Sequence, residues 1–263
     1  MSEKLNKEYL FSLLNIPPRD VMVYEETDST NTRLKTLAEN GGKDGTWCMA
    51  EFQTGGRGRV GRNFFSPDGS GLYLSVLLRP NMSPVKANLL TTCAAVSATV
   101  AIEKAFGIVT DIKWVNDVYY NNKKIAGILT EGSVDMETGL LKYAVVGIGI
   151  NVYKPNEGFP RDIENKAGYL IERAGCELGR EKLAAEFIRD FMKRCENLED
   201  DTIYTLYKEK MFLSGKRVMV ISHCGNTERP AEVVGVDRDF SLIVRYDDGE
   251  KANLTDGEVS IIL

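Results

Sequence analysis

Between Gly55 and Arg62 four glycines and three arginines share eight residues, inside the run Gln53-Thr54-Gly55-Gly56-Arg57-Gly58-Arg59-Val60-Gly61-Arg62. Neither a packed helix nor a strand suits that mixture, because glycine loses the most backbone entropy on ordering and arginine resists burial. A loop that folds over phosphates does suit it. Glycines let backbone N–H groups come close, and guanidinium forks meet phosphate oxygens in pairs. The same composition also fits a flexible basic surface loop. It is not a Walker loop, which ends in Gly-Lys-Ser/Thr, nor the dinucleotide fingerprint, whose glycines open a helix after a strand.

Four further stretches carry polar groups at spacings that suit a ligand. Asp28-Ser29-Thr30-Asn31 precedes a helical segment. It either caps that helix or turns hydroxyls and free N–H groups toward a polar or anionic ligand. In the stretch Lys113-Trp114-Val115-Asn116-Asp117, Asp117 is either a turn residue or the holder of a cation or of a metal–nucleotide complex. Lys124, beside Ile125-Ala126-Gly127, is either an edge-strand gatekeeper or a functional cation. Gly147-Ile148-Gly149-Ile150-Asn151 places two glycines near the end of an apolar run, a pattern that marks close approach by a ligand or another backbone. Asn151 offers a two-sided amide, suited to the edge of a base or to a turn.

Composition narrows the ligand. The 263 residues are 43% hydrophobic and 27% charged, with a net charge of −5, so no overall basic field points to nucleic acid. The arginine cluster is a local positive feature on an acidic chain, which favours a specific anionic ligand. One histidine, His223, argues against a His-rich metal site and a Ser-His-Asp triad. Cys48, Cys93, Cys176, Cys195 and Cys224 form no Cys-x-x-Cys pair and read as reduced thiols in a cytoplasm. The apolar runs read as too short and interrupted to span a bilayer, and Met1-Ser2-Glu3-Lys4 opens no signal-peptide core.

The elements that must position these residues follow from periodicity. Apolar residues at 5, 9, 10, 13 and 14 predict one short helix ended by Pro17-Pro18. Strands are expected over 21–24, 47–52, 71–78 and 141–152, and a helix over 32–40 that stops at Gly41-Gly42. Ser83-Pro84 reads as cap and first position of a long apolar helix stopped by Gly107. Asn121-Asn122 between two apolar runs signals a hairpin. Residues 180–198 predict an amphipathic helix continuing to about Tyr207. Beyond Gly215, short alternating runs separated by turn signals such as Cys224-Gly225-Asn226 and Asp247-Asp248-Gly249 predict a small SH3-like barrel. The boundary is expected near Ser214-Gly215, giving units 1–214 and 215–263.

Taken in order, Asp28 to Asn31, Gln53 to Arg62, Lys113 to Gly127 and Gly147 to Asn151 resemble the biotin–protein ligases, also called biotin–[acetyl-CoA-carboxylase] ligases. The resemblance runs from about residue 20 to the C-terminus. The glycine-arginine loop together with Lys-Trp-x-Asn-Asp and Lys-x-Ala-Gly is specific, although no single segment is. The fold implied is α/β (α+β), with a mixed, mostly antiparallel sheet backed by helices in the class II synthetase style, plus the small barrel.

The chemistry implied is ATP- and Mg²⁺-dependent activation of biotin to biotinyl-5′-AMP, followed by transfer to a lysine of a biotin carboxyl carrier domain of acetyl-CoA or a related carboxylase. By the resemblance, Ser29, Thr30, Asn31 and Gln53 hold biotin, and Gly56, Arg57, Gly58 and Arg59 belong to the loop ordered over biotin and adenylate. Lys124, flanked by Gly127, bonds the biotin carboxyl and phosphoryl oxygens. Arg57, Arg62, Phe64, Asn116, Asp117 and Asn151 fall on the nucleotide side, with Asp117 as the position tied to magnesium. Lys124 and Arg59 are the expected catalytic residues. Two positions depart from the family pattern: Val115 replaces a frequent proline, which implies a looser turn, and Phe64 replaces a tryptophan, which keeps a stacking face but loses a donor. A biotin-sensing DNA-binding regulator is disfavoured by the acidic charge and by the roughly twenty residues before the first strand. A lipoate or octanoate ligase of related fold is disfavoured by the arginine-rich loop. A cytoplasmic protein acting on no DNA and no membrane is expected, as a monomer or a homodimer.

Overall fold

The computed structural model describes residues 4–14, 20–59, 61–172, 179–222, 227–255 and 259–262. Val60, Cys176, His223, Cys224 and the expected stops at Pro17-Pro18 and Gly225-Asn226 lie outside the described residues.

Helix α1 (Lys7–Leu13) starts where the Asn6 side chain accepts from the Tyr9 N–H at 2.9 Å. Seven strands follow: β1 (Val21–Thr27), β2 (Thr46–Gln53), β3 (Gly71–Leu78), β4 (Asp111–Lys113), β5 (Asp117–Tyr120), β6 (Lys123–Val134) and β7 (Leu141–Asn151). They form one sheet in the order β1-β2-β3-β7-β6-β5-β4. β1 and β2 run parallel and every other pair is antiparallel, so the sheet is mixed and mostly antiparallel. β3 is buried along its whole length, and it reads as a continuous apolar run because both faces are covered. Helix α2 (Thr30–Glu39) covers one face, packing Leu34 and Ala38 against Cys48, Leu77, Tyr143 and Val145. Helices α3 (Ala87–Phe106) and α4 (Gly179–Cys195) cover the other. The β5–β6 hairpin turns on Asn121 and Asn122 with φ of 50° and 61°; a two-residue turn of this hand needs positive φ at both positions, which asparagine tolerates.

Three expectations about the helices change. Pro84–Lys86 is a 3-10 turn, α3 proper begins at Ala87, and the Ser83 side chain makes no capping bond. By length and composition Pro84–Phe106 is apolar enough to cross a membrane, contrary to the sequence reading, yet 67% of its apolar window is buried inside the protein. It is apolar nearly all round because it lies between the sheet and helices α4 and α5 (Asp201–Lys210). Residues 180–207 are two helices rather than one continuous run. Asp200 starts the second by accepting from Thr202 N–H at 2.7 Å.

After Gly215 (φ 74°) come β8 (Arg217–Ser222), β9 (Thr227–Val236), β10 (Leu242–Tyr246), β11 (Lys251–Leu254) and β12 (Val259–Ile262). They make a five-stranded antiparallel sheet of the SH3-like kind, ordered β11-β10-β9-β8-β12. Its β9–β10 turn grips the link between β4 and β5. Trp114 Nε1 donates to the Phe240 carbonyl at 2.8 Å, and the Tyr207 hydroxyl donates to the Val115 carbonyl at 3.0 Å. The Tyr207 and Phe240 rings meet edge-on at 5.1 Å. The Trp114–Val115 peptide is cis.

One buried ion pair ties the layers together. Glu51 on β2 and Arg180 on α4, 5% and 3% exposed, meet at 2.7 Å. Arg180 also donates to the Gly71 carbonyl, and Leu5 N–H donates to Glu51 Oε1. Removing one partner of such a pair leaves a charge buried alone, at a cost of about 3–5 kcal/mol. Arg180→Met is therefore expected to lose stability of that size in denaturant unfolding; a loss below about 1 kcal/mol would contradict this account.

Candidate ligand-binding cavity

The polar wall of the site starts from an unusual helix cap. Ser29 occupies the N-cap position of α2 with extended backbone (φ −161°, ψ 137°) but spends no side-chain bond on the cap. The orphan N–H of Thr30 is instead satisfied from β2, where Gln53 Oε1 accepts it at 2.9 Å. That contact orients the Gln53 amide, whose Nε2 donates to Ser66 Oγ at 3.0 Å; Ser66 in turn donates to the Phe64 carbonyl at 3.0 Å. Thr30 Oγ1 lies 2.7 Å from Ser75 Oγ, and Ser75 donates to Asn31 Oδ1 at 2.6 Å. Asn31 Nδ2 then donates to Glu131 Oε2 at 3.0 Å. Ser29, Thr30 and Asn31 are all buried. The bonds to Thr30 and Asn31 fix the orientations of those two side chains within the protein, which is what a site selecting a neutral polar ligand requires.

Glycines on β6 and β7 make room for this wall. A Cβ at Gly147 would lie 2.0 Å from Asn31 Oδ1, and one at Gly149 would lie 2.4 Å from the Phe64 ring. Gly127 faces Gly149 across the ladder and leaves space for the Lys124 side chain, whose Cε would lie 3.2 Å from an added Cβ. The close approach expected at these strand glycines is made by the side chains of Asn31 and Phe64. Phe64 thus lies with its ring over the paired glycines.

The glycine-arginine loop folds back on itself. Gly58 N–H donates to the Arg62 carbonyl at 2.7 Å and Phe64 N–H to the Gly56 carbonyl at 2.9 Å. It closes one side of a cavity of ≈ 210 Å³ that Ser29, Thr30, Asn31, Gln53, Arg57, Gly58, Arg59, Arg62, Phe64, Asn116, Asp117, Lys124 and Gly127 all line. Two expected residues do not line it. Gly56 sits behind the loop, where a Cβ would fall 2.3 Å from the Phe64 carbonyl oxygen. Asn151 is buried, and its Nδ2 donates to the Gly168 carbonyl at 2.9 Å. The same segment clamps the Lys124 backbone, through Lys124 N–H to Lys166 and Gly168 N–H to Lys124, each at 2.8 Å. Asn151 thus braces the strand that carries Lys124 instead of facing the cavity.

Lys113, Trp114, Asn63, Ile128, Leu129, Ile148 and both β7 glycines also line the cavity without having been singled out as site residues. Lys113 and Trp114 were visible as the start of Lys-Trp-x-Asn-Asp and the two glycines as a mark of close approach; Asn63, Ile128, Leu129 and Ile148 had no chemical signal of their own.

Charge is unbalanced here. Arg57, Arg59, Arg62, Lys113 and Lys124 face a cavity that, among the described residues, has one carboxylate in its lining, Asp117. Lys124 Nζ lies 2.6 Å from Asp117 Oδ1, and Arg59 donates to Asn116 Oδ1 at 2.9 Å. Asn116 in turn donates to the Ile128 carbonyl at 2.8 Å. Burial lowers the Lys113 pKa below the ordinary lysine value; Asp117 opposes this, while Lys124 and Arg62 add to it. Burial lowers Arg59 too, against the pull of Asp117 and with the push of Arg62. A cluster of partly desolvated cations is poised to take an anion and to stabilise charge on phosphoryl oxygens. Among the described residues no group of three His, Cys, Asp or Glu could hold a metal ion. One carboxylate suits a magnesium ion that arrives with its phosphates and keeps its waters.

Residues 23–151 match the model of the biotin/lipoate A/B protein ligase family. The chain is 32% identical over 232 residues to the bifunctional ligase/repressor BirA of Escherichia coli, covering 86% of this chain and 70% of that protein. It is 38% identical over 174 residues to the bifunctional ligase/repressor BirA of Bacillus subtilis, covering 66% and 53% respectively. The chain thus spans about half the length of the first curated relatives it matches. Among solved structures it is similar to the biotin protein ligase from Aquifex aeolicus in complex with biotin and ATP, with a TM-score of 0.71 and 28% identity over 92% of this chain and 98% of that one.

A multiply charged anion entering the cavity should raise the depressed Lys113 pKa back toward its ordinary value of about 10.4. At pH values between the two, Lys113 is partly neutral in the free protein and charged in the complex, so pyrophosphate binding should take up protons. Calorimetry in buffers of different ionisation enthalpy measures this uptake. Less uptake is expected in Lys113→Met than in the unsubstituted chain, and equal uptake in that variant would contradict the assignment.

Proposed function

The chain belongs to the biotin/lipoate A/B protein ligase family, and on that premise we propose that it is a cytoplasmic ligase that activates biotin with ATP and transfers it to a lysine of a biotin carboxyl carrier domain. The observation that supports this most is the meeting, in one cavity, of a pre-oriented neutral polar wall and a cluster of cations. The reaction needs both. Biotin is a neutral polar bicycle with an anionic tail, and ATP brings further negative charge.

In the first step a biotin carboxylate oxygen bonds to the α-phosphorus of ATP and the bond to the bridging oxygen of pyrophosphate breaks. Asp117 would steady a magnesium ion arriving with the phosphates, whose charge would screen the leaving pyrophosphate. Lys124 and Arg59 lower the repulsion between the two anions and stabilise charge developing on the phosphoryl oxygens. Ser29, Thr30, Asn31 and Gln53 hold the bicycle, and an analogue lacking its polar groups would leave them unpaired. Phe64 offers its ring as the stacking face on the nucleotide side, with Arg62 and Asn116 beside it. In the second step the carrier's ε-amine attacks the carbonyl of the mixed anhydride, AMP leaves, and an amide forms. The enzyme contributes no nucleophile of its own. Water must be kept from the anhydride meanwhile, which falls to the loop carrying Arg57, Gly58 and Arg59. Residues 1–214 would form the ligase unit and 215–263 the barrel that braces the Trp114–Asp117 link.

Biotin-dependent exchange of labelled pyrophosphate into ATP tests the first step alone, and the same assay with lipoate discriminates within the family. Exchange with biotin and none with lipoate is expected; the reverse would move the chain to the lipoate branch. Lys124→Ala should reduce exchange by about 10²–10³-fold, and unchanged exchange would refute its role. Arg59→Ala should release biotinyl-AMP faster than wild type, as followed by filter retention of the labelled adenylate; equal retention would contradict the contact assigned to it.

A further inference from the structure

Glu131 is a carboxylate that the reaction above leaves unused. It lies on β6 opposite Val145, with its side chain 16% exposed. Three donors converge on it from two separate elements. Asn31 and Lys35, one turn apart on α2, reach Oε2 at 3.0 Å and Oε1 at 2.9 Å. Arg57 of the glycine-arginine loop reaches Oε1 at 3.2 Å. Burial raises the Glu131 pKa, but the hydrogen bonds from Asn31 and Lys35 and the charges of Lys35 and Arg57 outweigh it and leave the group below the ordinary carboxylate range. It is therefore an anion at any neutral pH, standing beside a cationic cavity without facing into it.

We propose that Glu131 is a positioning residue: it ties the glycine-arginine loop to helix α2 through Arg57, so that the loop lies folded against the cavity before any ligand enters. Loop closure costs conformational entropy, and a loop with four glycines has more of it to lose than most. A tie formed in the ligand-free protein removes part of that cost from the binding step. Because the same carboxylate bonds Asn31, the loop and the polar wall share one anchor. Lys35 competes with Arg57 for Oε1, so its charge weakens the loop tie while it supports the carboxylate. The effect on adenylate retention rests on the ligase reading above; the tie itself does not.

Limited trypsin digestion of the ligand-free chain tests the tie, with cleavage after Arg59 and Arg62 followed by mass spectrometry. Cleavage of a transiently opened loop tracks the population of the open form. A half-exposed ion pair of ordinary strength then predicts that Glu131→Gln speeds loop cleavage about three- to fivefold. In wild type the cleavage should also speed up with ionic strength, relative to an unstructured peptide substrate, because Arg57 is 48% exposed and its pairing is screened; in Glu131→Gln that dependence should flatten. Lys35→Met should leave loop cleavage unchanged or slow it. Unchanged cleavage in Glu131→Gln, or equal acceleration in Lys35→Met, would overturn the proposal, the second by reducing Glu131 to a general support of α2. The wild-type salt series reads the tie even where Glu131→Gln folds poorly, and a flat series overturns it. If the digestion behaves as expected and no biotinyl-AMP forms, the tie stands and the ligase reading falls.

Discussion

The constraint on which this structure depends is electrostatic: five cationic side chains face one cavity, with Asp117 the lone carboxylate among the described residues that line it. Left to themselves, Lys113, Lys124, Arg59 and Arg62 would swing into solvent, where charge is cheapest. Each of the first three is instead held by a contact that has nothing to do with ligand. Lys113 Nζ lies 5.8 Å from the centre of the Tyr119 ring, Lys124 pairs with Asp117 from a stretch of β6 whose backbone is clamped, and Arg59 bonds an asparagine that is itself bonded to β6. The second sheet adds to this by fixing the Trp114 indole and, through Tyr207, the Val115 carbonyl. Much of the fold around the site can be understood as support for charges that repel one another until an anion arrives.

The neutral half of the cavity obeys a different rule. Its hydroxyls and amides are not left loose but run in a chain from Glu131 through Asn31, Ser75 and Thr30, with Gln53 and Ser66 leading on to Phe64. Such a chain determines which atoms remain to greet a ligand, and it ends at the loop that closes over them. Gly147 and Gly149 matter for the space they leave, since a methyl group at either would strike Asn31 or Phe64.

Much of this was legible in the sequence because the informative residues are locally unusual. A glycine-arginine loop, an Asn-Asn turn and a buried apolar strand each declare themselves within ten residues, and the mixed sheet with its appended small sheet follows from their order. What was not legible depends on distant partners. Ser29 looks like a helix cap, yet the cap role passes to Gln53, 23 positions away from Thr30. Asn151 looks like a ligand-facing amide, yet it bonds Gly168 and braces Lys124 from behind. Glu131 sits in a strand with no motif, and only the fold brings Arg57 and Lys35 to it. Pro84–Phe106 resembles a membrane span in composition alone, since burial on all sides asks for the same residues as lipid does.

The most direct measurement mixes the full chain with ATP, Mg²⁺, labelled biotin and a biotin carboxyl carrier domain, and follows label onto the carrier's lysine. Label that appears there, requires ATP, and is absent from a carrier whose target lysine is replaced by arginine is the result this account predicts. Biotinyl-AMP that accumulates without label reaching the carrier, or a carrier labelled without ATP, would contradict it.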